Sequence, residues 1–138
     1  MSEEYIIYIS GGYLGDFFHQ LSIINELWIK TGKKGILYIS ELHQNFRKSI
    51  EETFTETYDI VTIQNYIHEY KIYNGEYYDI NLSQWRNNLH TNTTLIDAFQ
   101  INYNISFGKN KWLNHIYFDK IWQEKIVIIQ LIIVLFMI

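Results

Sequence analysis

The chain contains no cysteine, so neither a disulfide framework nor a cysteine-ligated zinc site is expected. Four of its five histidines are scattered along the chain without the short, regular separations of metal ligands: His43, His68, His90 and His115. We therefore predict no metal centre and no bound cofactor. The absence of cysteine is also compatible with a reducing cytosol.

Positive charge is scarce, with 11 Lys and Arg against 15 Asp and Glu and a formal net charge of −4. A protein that binds nucleic acid without sequence preference needs a basic face. Aromatic residues make up 17% of the chain, but no basic residues are interleaved among them, which favours core packing over base stacking. The segment Met1-Ser2-Glu3-Glu4 carries acids where a signal peptide carries positive charge. These features predict a cytoplasmic protein that does not bind nucleic acid.

Glycine is also sparse, but three of the seven glycines fall between an apolar strand and an amphipathic helix: Gly11, Gly12 and Gly15. The run Tyr5–Ile9 is typical of a parallel strand that is buried on both faces. From Phe17 to Thr31, apolar residues recur at three- and four-residue steps, and Gly32 is a plausible helix stop. A second apolar run covers residues 35–39. Residues 5–39 are thus predicted to form a β-α-β unit.

Glycine-rich turns before helices serve several chemistries, and two familiar patterns are absent here. No Gly-Lys-Ser/Thr follows the glycines, so the lysine and hydroxyl of a P-loop are missing. The G-x-G-x-x-G spacing of dinucleotide-binding proteins is missing too. Glu41, however, follows the second strand, where an acid that binds ribose would lie. A nucleotide-binding Rossmann-like module therefore stays open as an alternative.

The segment Gly15-Asp16-x-x-His19-x-Leu21 resembles the first motif of the heptosyltransferase-like glycosyltransferases, which have the GT-B fold. A broader likeness of general pattern extends from Tyr5 to about Lys125. The resemblance implies the N-terminal, acceptor-side half of a two-domain enzyme that transfers a sugar from a nucleotide-sugar to an acceptor hydroxyl. It further implies that Asp16, at the start of the first helix, is the base that deprotonates this hydroxyl.

Asp16 is accordingly the candidate catalytic residue, and the candidate substrate-binding residues surround it: Gly11, Gly12, Gly15, His19 and Gln20. The three-residue spacing of Asp16 and His19 puts both on one helix face, where His19 could orient Asp16 or contact a phosphate. Two simpler interpretations stand beside this one. Asp16 could act only as a helix cap, and His19 could be only a half-buried polar residue.

The rest of the chain predicts a doubly wound α/β sheet of Rossmann-like type. We expect a helix over residues 42–57, a third strand over residues 58–63 and a short helix over residues 94–103. Alternation on both sides of Asn74-Gly75 predicts a β-hairpin insertion over residues 70–80. Trp85-Arg86 and the surrounding asparagines could contact a sugar, although packing at the hairpin base is the favoured interpretation for Trp85.

Residues 1–125 are interpreted as one domain and residues 126–138 as an apolar tail. Thirteen helical residues rise only about 20 Å, short of the roughly 30 Å hydrocarbon core, so a membrane span is not expected. Reading the A/T-rich codons that fit this tail one base earlier yields a polar loop. We therefore expect a truncated or frameshifted start of a missing second, donor-binding domain. The predicted function is a glycosyltransferase-like, incomplete protein with a sugar or glycan acceptor as partner, and a non-catalytic interaction protein is the further alternative.

Overall fold

The computed structural model describes residues 4–11, 14–41, 49–88 and 92–107. In chain order the elements are β1 (Tyr5–Ser10), α1 (Leu14–Thr31), β2 (Lys34–Ile39), α2 (Ile50–Thr62), β3 (Ile67–Ile72), β4 (Ile80–Asn81), a 3₁₀ helix (Gln84–Asn88) and α3 (Leu95–Tyr103). The four strands form one parallel sheet in the order β3-β2-β1-β4. The predicted α/β, Rossmann-like class is confirmed.

The strand order reverses at β1. From β1 the chain passes through α1 to β2, pairing Tyr5 with Lys34 and Ser10 with Ile39, and continues outward through α2 to β3. It then returns across the sheet to β4, which pairs Tyr8 with Ile80 on the other side of β1. The carboxyl ends of β1 and β4 consequently lie side by side at the point where the winding changes direction.

The core lies where α1 and α2 pack on the sheet. The predicted apolar stripe of α1 is buried at Phe17, Leu21 and Ile24, while Trp28 is half-buried. The ring of Tyr70 on β3 lies 6.2 Å from that of Phe17 and 4.8 Å from that of Phe54, measured between centroids. One aromatic residue of the sheet therefore joins both helices.

Gly35 allows α1 to approach β2 closely. A Cβ atom at this position would lie 2.8 Å from Ile24 Cγ2 and 2.9 Å from Tyr8 Cε2. Both neighbours are fully buried, so neither can move aside easily. The helix itself ends as predicted at Gly32, whose φ of 75° is favourable for glycine and whose amide donates to the Trp28 carbonyl at 2.7 Å.

The prediction of a third strand over residues 58–63 is wrong, because most of this segment belongs to α2. Ser49 caps the helix by accepting a hydrogen bond from the Glu52 amide at 3.2 Å, and its buried residues follow helical spacing: Thr53, Thr57, Ile60 and Val61. A good cap and this buried stripe override the strand preference of the β-branched residues. The predicted start of this helix, residues 42–48, lies outside the described residues.

The predicted β-hairpin over residues 70–80 is also wrong. Gly75 does form a turn, with φ 89°, but the segments on its two sides do not pair with each other. Instead, β3 pairs with β2 and β4 pairs with β1, at opposite edges of the sheet. Asn-Gly is a local signal for a turn, whereas strand pairing is decided by which neighbour buries each strand.

The short helix predicted over residues 94–103 is confirmed as α3, with Thr94 as its cap. The predicted domain 1–125 and apolar tail 126–138 extend beyond the described residues, which end at residue 107. None of the helices within the described ranges has the length and apolar character that a bilayer crossing requires.

Candidate functional site

The candidate site lies where the carboxyl ends of β1 and β4 meet. In open α/β sheets, ligands bind outside the carboxyl ends of the strands at the point where the winding reverses. Here Ser10 and Gly11 leave β1, while Leu82 and Ser83 follow β4. Both segments lead into helical turns that carry polar side chains toward this edge of the sheet.

The central contact of the site is an ion pair between Asp16 and Arg86. Arg86 Nη2 donates to Asp16 Oδ2 at 2.7 Å across a separation of 70 positions in sequence. The Asp16 side chain is 32% exposed and the Arg86 side chain is 36% exposed, so a ligand can reach both. A partly exposed ion pair contributes at most about 1 kcal/mol to folding stability. The pair is therefore better suited to presenting charged groups than to holding the fold together.

The position of Asp16 differs from that of a helix cap, the simpler of its two interpretations. Helix α1 begins at Leu14, so Asp16 lies inside the first turn. A carboxylate there is stabilised by the positive end of the helix dipole. The interpretation as a cap alone is wrong, because the side chain binds Arg86 rather than only serving its own helix.

A buried aromatic residue supports Arg86. The guanidinium carbon lies 4.4 Å from the centroid of the Trp85 ring, a distance that suits a cation–π contact. Trp85 is only 2% exposed and packs edge-on against Phe99 of α3, with the ring centroids 5.4 Å apart. Trp85 is thus a packing residue, and its ring supports the Arg86 guanidinium that binds Asp16.

His19 lies half-buried on α1, one turn after Asp16. Burial lowers the pKa of His19, and the nearby Asp16 carboxylate opposes this shift. The imidazole is thereby biased toward its neutral form, which can donate or accept a proton. The interpretation of His19 as a half-buried polar residue agrees with its burial.

Gln20 is completely buried, so it lies beneath the site rather than on its surface. Its side-chain oxygen accepts a hydrogen bond from the Ser10 hydroxyl, which ties the end of β1 to α1. Within the described ranges, the amide nitrogen of Gln20 has no hydrogen-bond partner. Ser10, which the sequence did not single out, is therefore part of the support for the site.

The three glycines of the predicted turn occupy different positions. Gly11 follows β1 and is buried, Gly15 lies in the first turn of α1, and Gly12 falls outside the described residues. The candidate ribose ligand Glu41 is exposed two residues after the end of β2, at the same sheet edge but on the other side of β1 from Arg86. The structure therefore places Asp16, His19 and Arg86 near the carboxyl end of β1, whereas Glu41 lies past the end of β2.

Sequence reasoning missed a polar groove beside β4. The groove has a volume of about 460 Å³, and Asn81, Ser83, Arg86 and Asn87 contribute to its walls. The sequence pattern points to Arg86 and the surrounding asparagines as sugar contacts, but not to Ser83 or to a groove. The available signal was the run of small polar and amide residues that directly follows β4. Across the part of the chain that the structure describes, no cluster of three or more His, Cys, Asp or Glu side chains could hold a metal.

No protein-family model, curated protein or solved structure matches the chain. The features of this chain that bear on function are therefore the geometry of the site and the motif Gly15-Asp16-x-x-His19-x-Leu21.

Proposed function

We propose that the site at the carboxyl ends of β1 and β4 binds the sugar or glycan acceptor of a glycosyl transfer. The observation that carries this proposal is the convergence of Asp16 and Arg86, 70 positions apart, at the reversal of strand order. The likeness of the surrounding motif to heptosyltransferase-like GT-B enzymes supports it. That likeness implies a carboxylate at the start of the first helix, and Asp16 is such a carboxylate, reachable from solvent at a ligand-binding edge.

The proposed chemistry assigns one proton transfer to this chain. The acceptor hydroxyl attacks the anomeric carbon of the donor, the bond from that carbon to the nucleotide phosphate breaks, and Asp16 takes the hydroxyl proton. Arg86 occupies Asp16 Oδ2 and so fixes the carboxylate in one orientation. His19, one turn away, is a second polar group that could orient the acceptor.

Transfer itself would require a second domain that holds the nucleotide-sugar. We therefore expect the site at the carboxyl ends of β1 and β4 to supply acceptor binding, without turnover in the absence of such a domain. A cytoplasmic location is part of the proposal, since a chain without cysteine is compatible with a reducing compartment. No nucleic-acid partner is proposed, because the net charge is −4.

The test compares two aspartates that occupy the first turns of helices. Asp16→Asn should weaken binding of methyl glycosides about tenfold in ligand-detected NMR, because a charge-assisted hydrogen bond is lost. Asp97→Asn is the matched control, since Asp97 lies in the first turn of α3. Equal binding by the two variants would remove the assigned role of Asp16.

The alternative of a nucleotide-binding module has one observation in its favour, the exposed Glu41 two residues after the end of β2. Glu41→Ala should then weaken binding of NAD or UMP in calorimetry, whereas Asp16→Asn should matter less. A non-catalytic interaction protein would bind neither sugars nor nucleotides. Partner capture by such a protein would be insensitive to both substitutions.

A further inference from the structure

The wall of the groove beside β4 contains a buried hydroxyl group. Ser83 is 6% exposed and lines the groove, yet within the described ranges its side-chain oxygen has no hydrogen-bond partner. A buried polar group without a partner destabilises the folded protein. Nearly all such groups in folded proteins are paired with protein, water or ligand. The open bonding capacity of Ser83 in a cavity wall points to a ligand that can donate or accept a hydrogen bond there.

The other polar walls of the groove match the chemistry of hydroxyl groups. Gln84 and Asn87 are exposed amides, and each carries both donors and acceptors. Asn81 accepts a hydrogen bond from the Ser83 amide at 2.9 Å through its side-chain oxygen, and its side-chain NH₂ group adds donors to the groove lining. Tyr78 adds a half-buried ring, and aromatic faces suit the C–H surfaces of sugar rings.

The charges of the groove disfavour an anionic ligand. Arg86 is the one cation among the described residues that line it, and that guanidinium is bound to Asp16 at 2.7 Å. Asp79 adds a carboxylate to the same lining, held by the Ile7 amide at 2.9 Å from Oδ2. Two carboxylates thus oppose one guanidinium. A phosphate or carboxylate group would meet repulsion rather than an uncommitted positive charge.

We propose that this groove binds a neutral, polyhydroxylated ring, an uncharged sugar unit, in preference to a phosphorylated or carboxylated one. The inference rests on the proposed function, because it specifies the class of acceptor that the site would take. It also separates the groove from any donor site, since a nucleotide-sugar carries a diphosphate.

The experiment measures binding of methyl α-D-glucopyranoside, methyl α-D-galactopyranoside and methyl α-D-mannopyranoside to the full chain by saturation-transfer NMR. The comparison ligands are glucose 6-phosphate, the methyl glycoside of glucuronic acid and inorganic phosphate. We expect at least one neutral glycoside to bind about tenfold more tightly than the anionic ligands, a ratio that corresponds to about 1.4 kcal/mol of like-charge repulsion.

Two exposed asparagines provide a matched pair of variants. Asn87→Lys adds a cation to the groove and should narrow or reverse the preference for neutral over phosphorylated sugar. Asn65→Lys makes the same change before β3, at the amino-terminal edge of the sheet, and should leave the preference unchanged. Ser83→Ala should weaken binding of the neutral sugar several-fold, since the hydroxyl–ligand bond is lost.

Each outcome bears on one of the two proposals. Tighter binding of glucose 6-phosphate than of every neutral glycoside, with sensitivity to Asp16→Asn, would overturn the neutral-ligand inference and leave the acceptor site standing. Neutral binding with equal responses to Asn87→Lys and Asn65→Lys would overturn the assignment to this groove. Binding of no sugar of either kind would overturn both proposals.

Discussion

Polar contacts in the α2–β3 region, residues 50–72, join residues that are close in sequence, whereas the ion pair at the switch-point site joins two residues 70 positions apart. Thr57 donates to the Thr53 carbonyl and contacts the Tyr70 hydroxyl, both at 2.7 Å, across 4 and 13 positions. The switch-point site, defined by Ser10, Asp16, Ser83, Arg86 and Asn87, includes a contact across 70 positions.

The sheet topology matters for function at the switch-point site more than in the α2–β3 region. Local polar bonds in the α2–β3 region complete helices and strands, and most of its buried groups need no external partner. Tyr66 is an exception, because its buried hydroxyl has no partner within the described ranges. At the switch-point site, the return of the chain to β4 assembles groups that no local pattern brings together. Substitutions in the two regions should therefore separate stability from binding.

The largest effect on stability is expected in the α2–β3 region. Ile60 is 1% exposed in α2, so Ile60→Ala should lower the free energy of unfolding by about 2 to 5 kcal/mol through lost burial and a residual cavity. Urea unfolding followed by circular dichroism measures this change. Sugar affinity of the folded protein should stay the same, and a loss of affinity equal to that of Asp16→Asn would erase the distinction between the regions.

Removing one hydroxyl group from each region should lower the free energy of unfolding by different amounts. Ser10→Ala leaves the fully buried Gln20 side chain without its Ser10 partner and should cost about 1 to 3 kcal/mol. Tyr70→Phe should cost only about 1 kcal/mol, because Thr57 keeps its bond to the Thr53 carbonyl. The same urea measurement ranks the two variants. A larger loss for Tyr70→Phe would contradict the account of Gln20.

Arg86→Gln should affect binding more than stability. Both members of the Asp16–Arg86 pair are about one-third exposed, so the free energy of unfolding should change by less than about 1 kcal/mol. Binding of a neutral methyl glycoside should weaken about tenfold, because the carboxylate is no longer held in one orientation. Unfolding curves and NMR titrations of the same sample compare the two effects. A loss of stability without a loss of binding would assign the pair to folding alone.

The smallest effect is a dependence of stability on pH at His19. Burial lowers its folded-state pKa, against the opposing Asp16 charge, while the unfolded chain protonates near its ordinary pKa of about 6.5. Because the folded protein takes up this proton less readily than the unfolded chain, the neutral imidazole of His19 favours the folded state. This contribution to stability is present above about pH 6.5 and is lost as pH falls through the folded-state pKa. His19→Gln should flatten this part of the pH–stability profile. An imidazole pKa above 6.5, measured by NMR, would contradict the burial argument.

The sequence allowed the β1-α1-β2 unit to be predicted because its signals are local. Apolar runs mark the two strands, a three- and four-residue stripe marks α1, and Gly32 marks its end. The same kind of signal failed at residues 58–63, where an apolar, β-branched segment was also compatible with the buried face of a helix. Length and the Ser49 cap decide such a case better than residue preference does.

The candidate site was predictable in part for the same reason. Asp16 and His19 belong to a local motif, and the structure keeps them at the carboxyl end of β1. The pairing of Asp16 with Arg86 depends on β4 lying next to β1. In the predicted hairpin over residues 70–80, the segments on the two sides of the turn would instead have paired with each other. A one-dimensional pattern carries no information on which strand becomes the neighbour of β1. Ser83 therefore emerges as a site residue only from the topology, and so does the pairing of Arg86 with Asp16.

The most direct test of the account maps backbone amide shifts of the full chain by NMR during titration with a neutral methyl glycoside that binds. We predict that the shifted resonances cluster at Ser10, Asp16, Ser83, Arg86 and Asn87. Resonances of α2 and β3 should remain in place. Shifts confined to the α2–β3 region, or no shifts with any of the three glycosides, would contradict a sugar site at the carboxyl ends of β1 and β4.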